Sequence, residues 1–216
     1  IRLQAEPLTT VEPGLKANTR GSLIHQVLEK IWQQLKNLEN LTALSQPALT
    51  HLLATIIKQV LNENGFQADD ISTQLEEIRI NQLMIKWLEI ERNRPYFEVI
   101  ATETKEIIQF EDKLLAVRVD RIDQLEDGRR MVIDYKTSKS SLASWFGDRM
   151  EEPQLPLYCI QMTEIKGLAY ANIHYEKPNY SGIVDHPLSV TGILTFKPNN
   201  KYSPTAENFE NQRQIW

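Results

Sequence analysis

The spacing of apolar residues divides the chain into a helical first half and a second half in which strands dominate. Leu23, Ile24, Val27, Leu28, Ile31, Trp32, Leu35 and Leu38 recur at helical spacing and predict a helix over 21–38. His25 lies at the edge of that stripe, roughly 20° from Trp32 at ~100° per residue, and Glu29 follows one turn later on the same edge. Residues 39–46 read as a polar connection. Ser45 ahead of Pro47 marks the start of a second helix, which Gly65 ends. A third is expected over 70–93, with Ile71, Leu75, Ile78, Leu83, Trp87 and Leu88 inward and Pro95 stopping it. Residues 1–19 hold Pro7, Pro13 and Gly14, lack periodicity and read as an extended lead-in.

From Tyr96 the period changes. Residues 97–109 alternate loosely, and 114–124 with 130–137 predict a hairpin. A Ser-rich loop over 138–150 carries Trp145 and Phe146. Pro153 opens a helix through about 165, and 168–175 reads as a further strand. Residues 176–216 form a strand-and-loop extension with strand-like pieces at 182–184 and 193–196. The order predicts an α/β fold: a mixed sheet of four or five strands flanked by the first helix and the 153–165 helix. The core spans 20–175, with 39–94 as a helical insertion.

The hairpin holds the candidate chemistry. On its second strand Asp134 and Lys136 point one way, Ile133 and Tyr135 the other. Whether Asp120 of the first strand joins them depends on the turn. A two-residue Asp127-Gly128 turn sets Asp134 against Arg121, whereas a three-residue Glu126-Asp127-Gly128 loop sets it against Asp120. The longer loop wants a left-handed residue at its end, where Gly128 stands, and is the one expected.

Two carboxylates on one sheet face repel unless a cation lies between them, and hard divalent ions such as Mg²⁺ take oxygen ligands. A lysine beside such an ion can hold the attacking water and offset charge on a phosphate. The plain alternative is a solvated strand face with an ion pair worth under ~1 kcal/mol. His25 is either a packed core histidine or a further ligand oriented by Glu29. Gln154 and Tyr158, one helical turn apart, either reach the site or form a surface pair. Asp123, Glu126 and Asp127 read as solvated turn charges. Trp145 and Phe146 either stack on bases or anchor their loop. Walker, Gly-x-Gly-x-x-Gly, Gly-x-Ser-x-Gly and His-Glu-x-x-His motifs are absent.

Composition narrows the setting. Cys159 is the one cysteine, which excludes an internal disulfide or a cysteine-based cluster and suits a reducing compartment. No apolar run is long enough to span a bilayer and no signal peptide is visible. A first residue Ile1 suggests a domain cut from a longer chain. The net charge of −5 argues against a dedicated nucleic-acid binder, unless positive charge is local or supplied by a partner domain.

Four stretches together resemble the RecB/AddB-type nuclease domain of the PD-(D/E)XK superfamily: RGSLIHQVLE at 20–29, VDRID at 119–123, VIDYKT at 132–137 and QLPLY at 154–158. The resemblance covers roughly 20–175 and implies a restriction-endonuclease-like core and a Mg²⁺-dependent DNA nuclease, with Mn²⁺ as a possible substitute. By matching position, His25, Asp120 and Asp134 become metal ligands, with the Tyr135 carbonyl close by and Lys136 as catalytic lysine. Gln154 and Tyr158 match the supporting Gln-x-x-x-Tyr motif. Arg20 and Glu103 fall among the DNA-binding or supporting residues, with Glu106 competing for the place of Glu103. Val117 and Ser138 stand where the family often has glycine. The AddB-type iron–sulfur staple lacks its cysteines, so no cluster is expected. The implied setting is double-strand-break processing, as an exonuclease, in a bacterial cytoplasm, with DNA as substrate, a helicase or helicase-like partner, and no membrane. The alternative is a silent DNA-binding or protein-docking module; RNA or nucleotide hydrolysis by the same site is a third option.

Overall fold

The apolar stripe of the first helix is buried along its length, and the rest of the molecule is arranged against it. The computed structural model describes residues 15–216 apart from 111–112, 139, 148–149, 199–201 and 203–204, with backbone alone at 106–110, 113–115 and 117. Of the expected lead-in over 1–19, residues 1–14 lie outside the described residues and 17–19 already belong to the first helix. Helix α1 is Ala17–Leu35, four residues ahead of the expected start. The region expected to be a connection holds a short helix, α2, Leu38–Ala43, capped by the Asn37 side chain, which accepts from the Asn40 amide at 2.8 Å. Helix α3, Gln46–Glu63, is capped by Ser45 as the sequence predicted, and α4, Ile71–Arg92, by Asp70.

Among the described residues the sheet has six strands rather than four or five, in the order β1-β2-β3-β4-β5-β6. They are β1 Phe97–Phe110, β2 Lys113–Leu125, β3 Arg130–Lys136, β4 Ile165–Asn172, β5 Asn179–Val184 and β6 Ile193–Thr195. β3 and β4 pair in parallel, as do β5 and β6; the other neighbours are antiparallel. Thus 179–184 and 193–195 complete the same sheet. Between β3 and β4 lie a 3₁₀ turn, Leu142–Trp145, and helix α5, Gln154–Gln161; helix α6, Phe209–Ile215, falls in the stretch expected to hold strands and loops.

Two apolar cores flank the sheet. Met131, Ile133 and Tyr135 of β3 join α1, α3 and α4 in one. Val132, Leu168 and Tyr170 join α5 and α6 in the other. The alternation on β3 therefore turns Asp134 and Lys136 toward the α5 side. The β2–β3 register runs from Gln124↔Arg130 to Arg121↔Ile133, and the Leu125 amide donates to the Arg129 carbonyl at 2.8 Å. The loop is therefore Glu126-Asp127-Gly128, with Gly128 at φ +82°, where a side chain would cost roughly 1–2 kcal/mol. One step beyond Arg121↔Ile133, the register sets Asp120 level with Asp134.

Two expectations fail for the same reason. Asp123, read as a solvated turn charge, is fully buried. It shares a strand face with Arg121, which donates to it and to Glu91 of α4, at 2.9 Å to Glu91. Arg94 bridges Asp123 at 2.8 Å and Glu91 at 2.7 Å, and the Tyr180 hydroxyl donates to Glu91 at 2.6 Å. Two guanidiniums face two carboxylates, so the cluster is neutral and ties α4 to β2 and β5. On α4, Ile71, Leu75 and Ile78 are exposed rather than inward, by 73%, 49% and 54%. Thr73, Glu76 and Ile80 face in instead. Glu76 can be buried because Arg20 of α1 grips both its oxygens, at 2.9 and 2.8 Å.

Candidate active site

Three acidic residues stand level on three adjacent strands. Glu103 of β1 falls between the pairs Thr102↔Arg121 and Thr104↔Val119, which sets it beside Asp120 of β2. Asp134 of β3 is on the other side of Asp120, and pairs in turn with Tyr170 of β4. Adjacent strands lie ~4.8 Å apart, so the row crosses the sheet in short steps. Glu103 has φ +50°, a left-handed conformation inside a strand that costs a non-glycine residue about 1–3 kcal/mol.

His25 reaches this row from α1. Its Nδ1 is 3.4 Å from Asp120 Oδ1, and its ring meets Tyr135 edge-on at 5.7 Å between centroids. Asp120 Oδ2 accepts a hydrogen bond from the Tyr135 amide at 2.7 Å. His25, Glu103 and Asp120 each offer a ligand atom, all within 4.8 Å of one another. Asp134 is not in that group. Its Oδ2 is 3.1 Å from Lys136 Nζ, but off the hydrogen-bonding direction, so this buried oxygen has no aligned donor among the described residues.

Lys136 is held from a second side. Glu152, in the loop before α5, places Oε2 at 2.8 Å from Lys136 Nζ. The Tyr170 hydroxyl donates to the same Glu152 oxygen at 3.1 Å and itself accepts from the Trp145 indole. Lys136 also stands 5.3 Å from the centroid of the Tyr170 ring.

The charges act on one another. Burial and the neighbouring Asp120 carboxylate push Asp134 up to about 6. Glu103 is raised by burial and by Asp120, against the pull of the Arg118 guanidinium. Burial works against the charged form of His25, yet Asp120, with Asp134 and Glu103, leaves it above its ordinary value. Burial likewise opposes the Lys136 ammonium, but Asp134 and Glu152 hold it protonated, above the usual lysine range. Excess negative charge in a buried row is the condition a divalent cation relieves.

His25, Asp120, Asp134 and Lys136 open on a cleft of about 810 Å³, which Arg118 and Gln154 also line. Gly21 of α1 lets the helix approach β3: a Cβ there would lie 3.1 Å from Thr137 Oγ1. Gln154 sits at the rim, where its amide donates to the Arg118 carbonyl.

The model of the PD-(D/E)XK nuclease superfamily matches residues 2–205. The chain belongs to this superfamily. Its mixed six-stranded sheet flanked by helices is the restriction-endonuclease-like α/β fold of these nucleases, and membership implies nuclease activity. Nucleases of the superfamily typically use divalent metals, and the donors here fit one: carboxylate oxygens with one imidazole, beside a carboxylate oxygen that lacks an aligned donor. No curated protein matches the chain. A solved structure titled "Crystal structure of SSO0001" is similar over 84% of this chain and 71% of that chain, at 16% identity and a TM-score of 0.29, a likeness that carries no functional weight.

The superfamily core brings most of the expected residues to one cleft, but not all. Tyr158 turns into the α5-side core, 1% exposed, so the Gln154–Tyr158 pair splits between cleft and core. Glu29 accepts from Gln33 at 3.0 Å and has no described contact with His25. Trp145 and Phe146 are buried and anchor their loop, Phe146 against Tyr202 and Trp216. The side chains of Glu106 and Val117 lie outside the described residues. Arg118, Glu152 and Tyr170 were missed. Arg118 could have been found, because it lies two residues from Asp120 on the same strand. Glu152 carried no signal, because its reach depends on the path of an irregular loop.

Proposed function

We propose that the chain is a Mg²⁺- or Mn²⁺-dependent DNA nuclease of the RecB/AddB type. One observation carries the reading: Glu103, Asp120 and Asp134 stand level across β1, β2 and β3, and Asp120 and Asp134 open with Lys136 on one cleft. His25, Asp120 and Glu103 would hold the cation, with Asp134 adjacent. When bound, the ion supplies Lewis-acid chemistry, acidifying water and neutralising charge on the phosphate. Asp120 is aimed by the Tyr135 amide. Lys136, kept protonated by Asp134 and Glu152, acts as a fixed cation: it orients the attacking water and stabilises charge on the phosphate oxygens. Arg118 steadies Glu103 and presents an exposed cation at the rim.

The four stretches at 20–29, 119–123, 132–137 and 154–158 support the RecB/AddB assignment. With it come exonuclease action, a place in processing double-strand ends, and a helicase or helicase-like partner in a bacterial cytoplasm. Among the described residues, no helix is long and apolar enough to cross a membrane.

The test is cleavage of 5′- and 3′-labelled linear single- and double-stranded DNA with Mg²⁺ or Mn²⁺, comparing wild type with Lys136→Ala. Cleavage that disappears in the variant is expected, and the product ladder gives the polarity. A folded wild type that leaves every substrate intact sinks the nuclease reading for this chain and favours a docking module.

A further inference from the structure

We propose that a second cleft, beside the catalytic one, is a subsite for a neighbouring nucleotide of a single-stranded nucleic acid. The inference rests on the nuclease reading above and names the form of its substrate. The cleft measures about 530 Å³ and lies between α1, α4 and the end of β4. Thr137 lines both clefts, so a strand with its phosphate at Lys136 continues directly into the second.

The lining suits one nucleotide. The floor is apolar: Ile24, Ile80, Leu83 and Ile173 are all buried. The rim is cationic. Arg20 and Arg79 both bind Glu76, at 2.8 Å each to the same oxygen. One carboxylate against two guanidiniums leaves a net positive charge, with both cations pre-positioned. In a chain of net charge −5, such a local excess is what draws a phosphate.

Tyr175 supplies a stacking surface. It is 50% exposed, yet it is held at both ends. Its hydroxyl donates to Gln82, its carbonyl accepts from Lys86 at 3.0 Å, and Lys86 Nζ stands 4.5 Å from the ring centroid. A ring already fixed loses little entropy when a base stacks on it. A base can reach this ring and the apolar floor only when it is unpaired, which selects a single strand over a duplex.

The experiment is fluorescence anisotropy with a short labelled single strand and the matching duplex, with Ca²⁺ in place of Mg²⁺, followed by cleavage in Mn²⁺. Tyr175→Ala and Arg79→Ala should each weaken single-strand binding about tenfold, and Tyr175→Phe, which keeps the ring but loses its hydroxyl anchor, should lose less. Duplex binding should change little, and melting temperatures should show that each variant folds. Unchanged single-strand binding in both alanine variants overturns the subsite, as does an equal loss on duplex or no binding by wild type. The two readings fail separately. Wild type that cleaves while the alanine variants bind normally keeps the nuclease and loses the subsite. Wild type that binds through these residues and never cleaves does the reverse.

Discussion

Asp120 accepts the Tyr135 amide hydrogen bond at 2.7 Å, just where the β2–β3 pairing ends. One carboxylate oxygen is thus spent on the backbone, and the other faces His25. Asp120→Ala should strand a buried amide and destabilise the protein by about 1–3 kcal/mol. Asp120→Asn keeps an acceptor and should cost less. Urea denaturation of both variants checks this; equal losses would mean the bond contributes nothing.

Asp134 is the opposite case, a residue whose charge the fold resists. Burial and Asp120 raise it from 3.8 to about 6. The folded state then binds the proton more tightly, so stability falls as pH rises through that interval. Asp134→Asn should therefore stabilise the metal-free protein above pH 6 by about 1–3 kcal/mol while abolishing cleavage. The gain should vanish below 3.8, where the native carboxyl is already neutral. Melting curves across this range, with a chelator present, decide it.

Glu152 and Lys136 meet at 2.8 Å. Glu152→Gln leaves the lysine paired with Asp134 alone and frees it to shift. Turnover should fall on the order of tenfold, the equivalent of one pKa unit, while metal binding stays intact. A loss of metal binding instead would place Glu152 among the ligands.

How much of this was legible follows from which constraints are local. Gly128 fixes a three-residue loop, and the loop fixes the register that levels Asp120 with Asp134. The alternation of β3 then sends Asp134 and Lys136 to one side. Both steps need only neighbouring residues. Alternation also sets Arg121 beside Asp123, but their burial needs Glu91 of α4 and Arg94 just beyond its end. The phase of α4 departs from its apolar stripe for a similar reason: Glu76 turns inward because Arg20 waits there on α1. Ion pairs between distant elements leave no trace in periodicity.

The cluster of Glu91, Arg94, Arg121 and Asp123 predicts acid lability. Burial alone would raise Glu91, but Arg121 and Arg94 outweigh it and hold the carboxyl below its ordinary 4.5. A depressed folded value contributes stability above 4.5 that is lost as pH falls through the lower folded value. Melting temperature should therefore drop as pH falls below 4.5. Glu91→Gln should cost about 3–5 kcal/mol near neutrality, by leaving two buried arginines with one carboxylate, and should flatten that acid limb. A variant as stable as wild type at neutral pH contradicts the role given to the cluster.

The most direct test of the whole account is Mn²⁺ binding, followed by calorimetry at neutral pH, to wild type and Asp120→Asn. Asp120 is the centre of the acidic row and the partner of His25, so wild type should bind with saturable heat and the variant should bind weakly or not at all. Equal binding by the two proteins would show that this row of carboxylates is not the metal site.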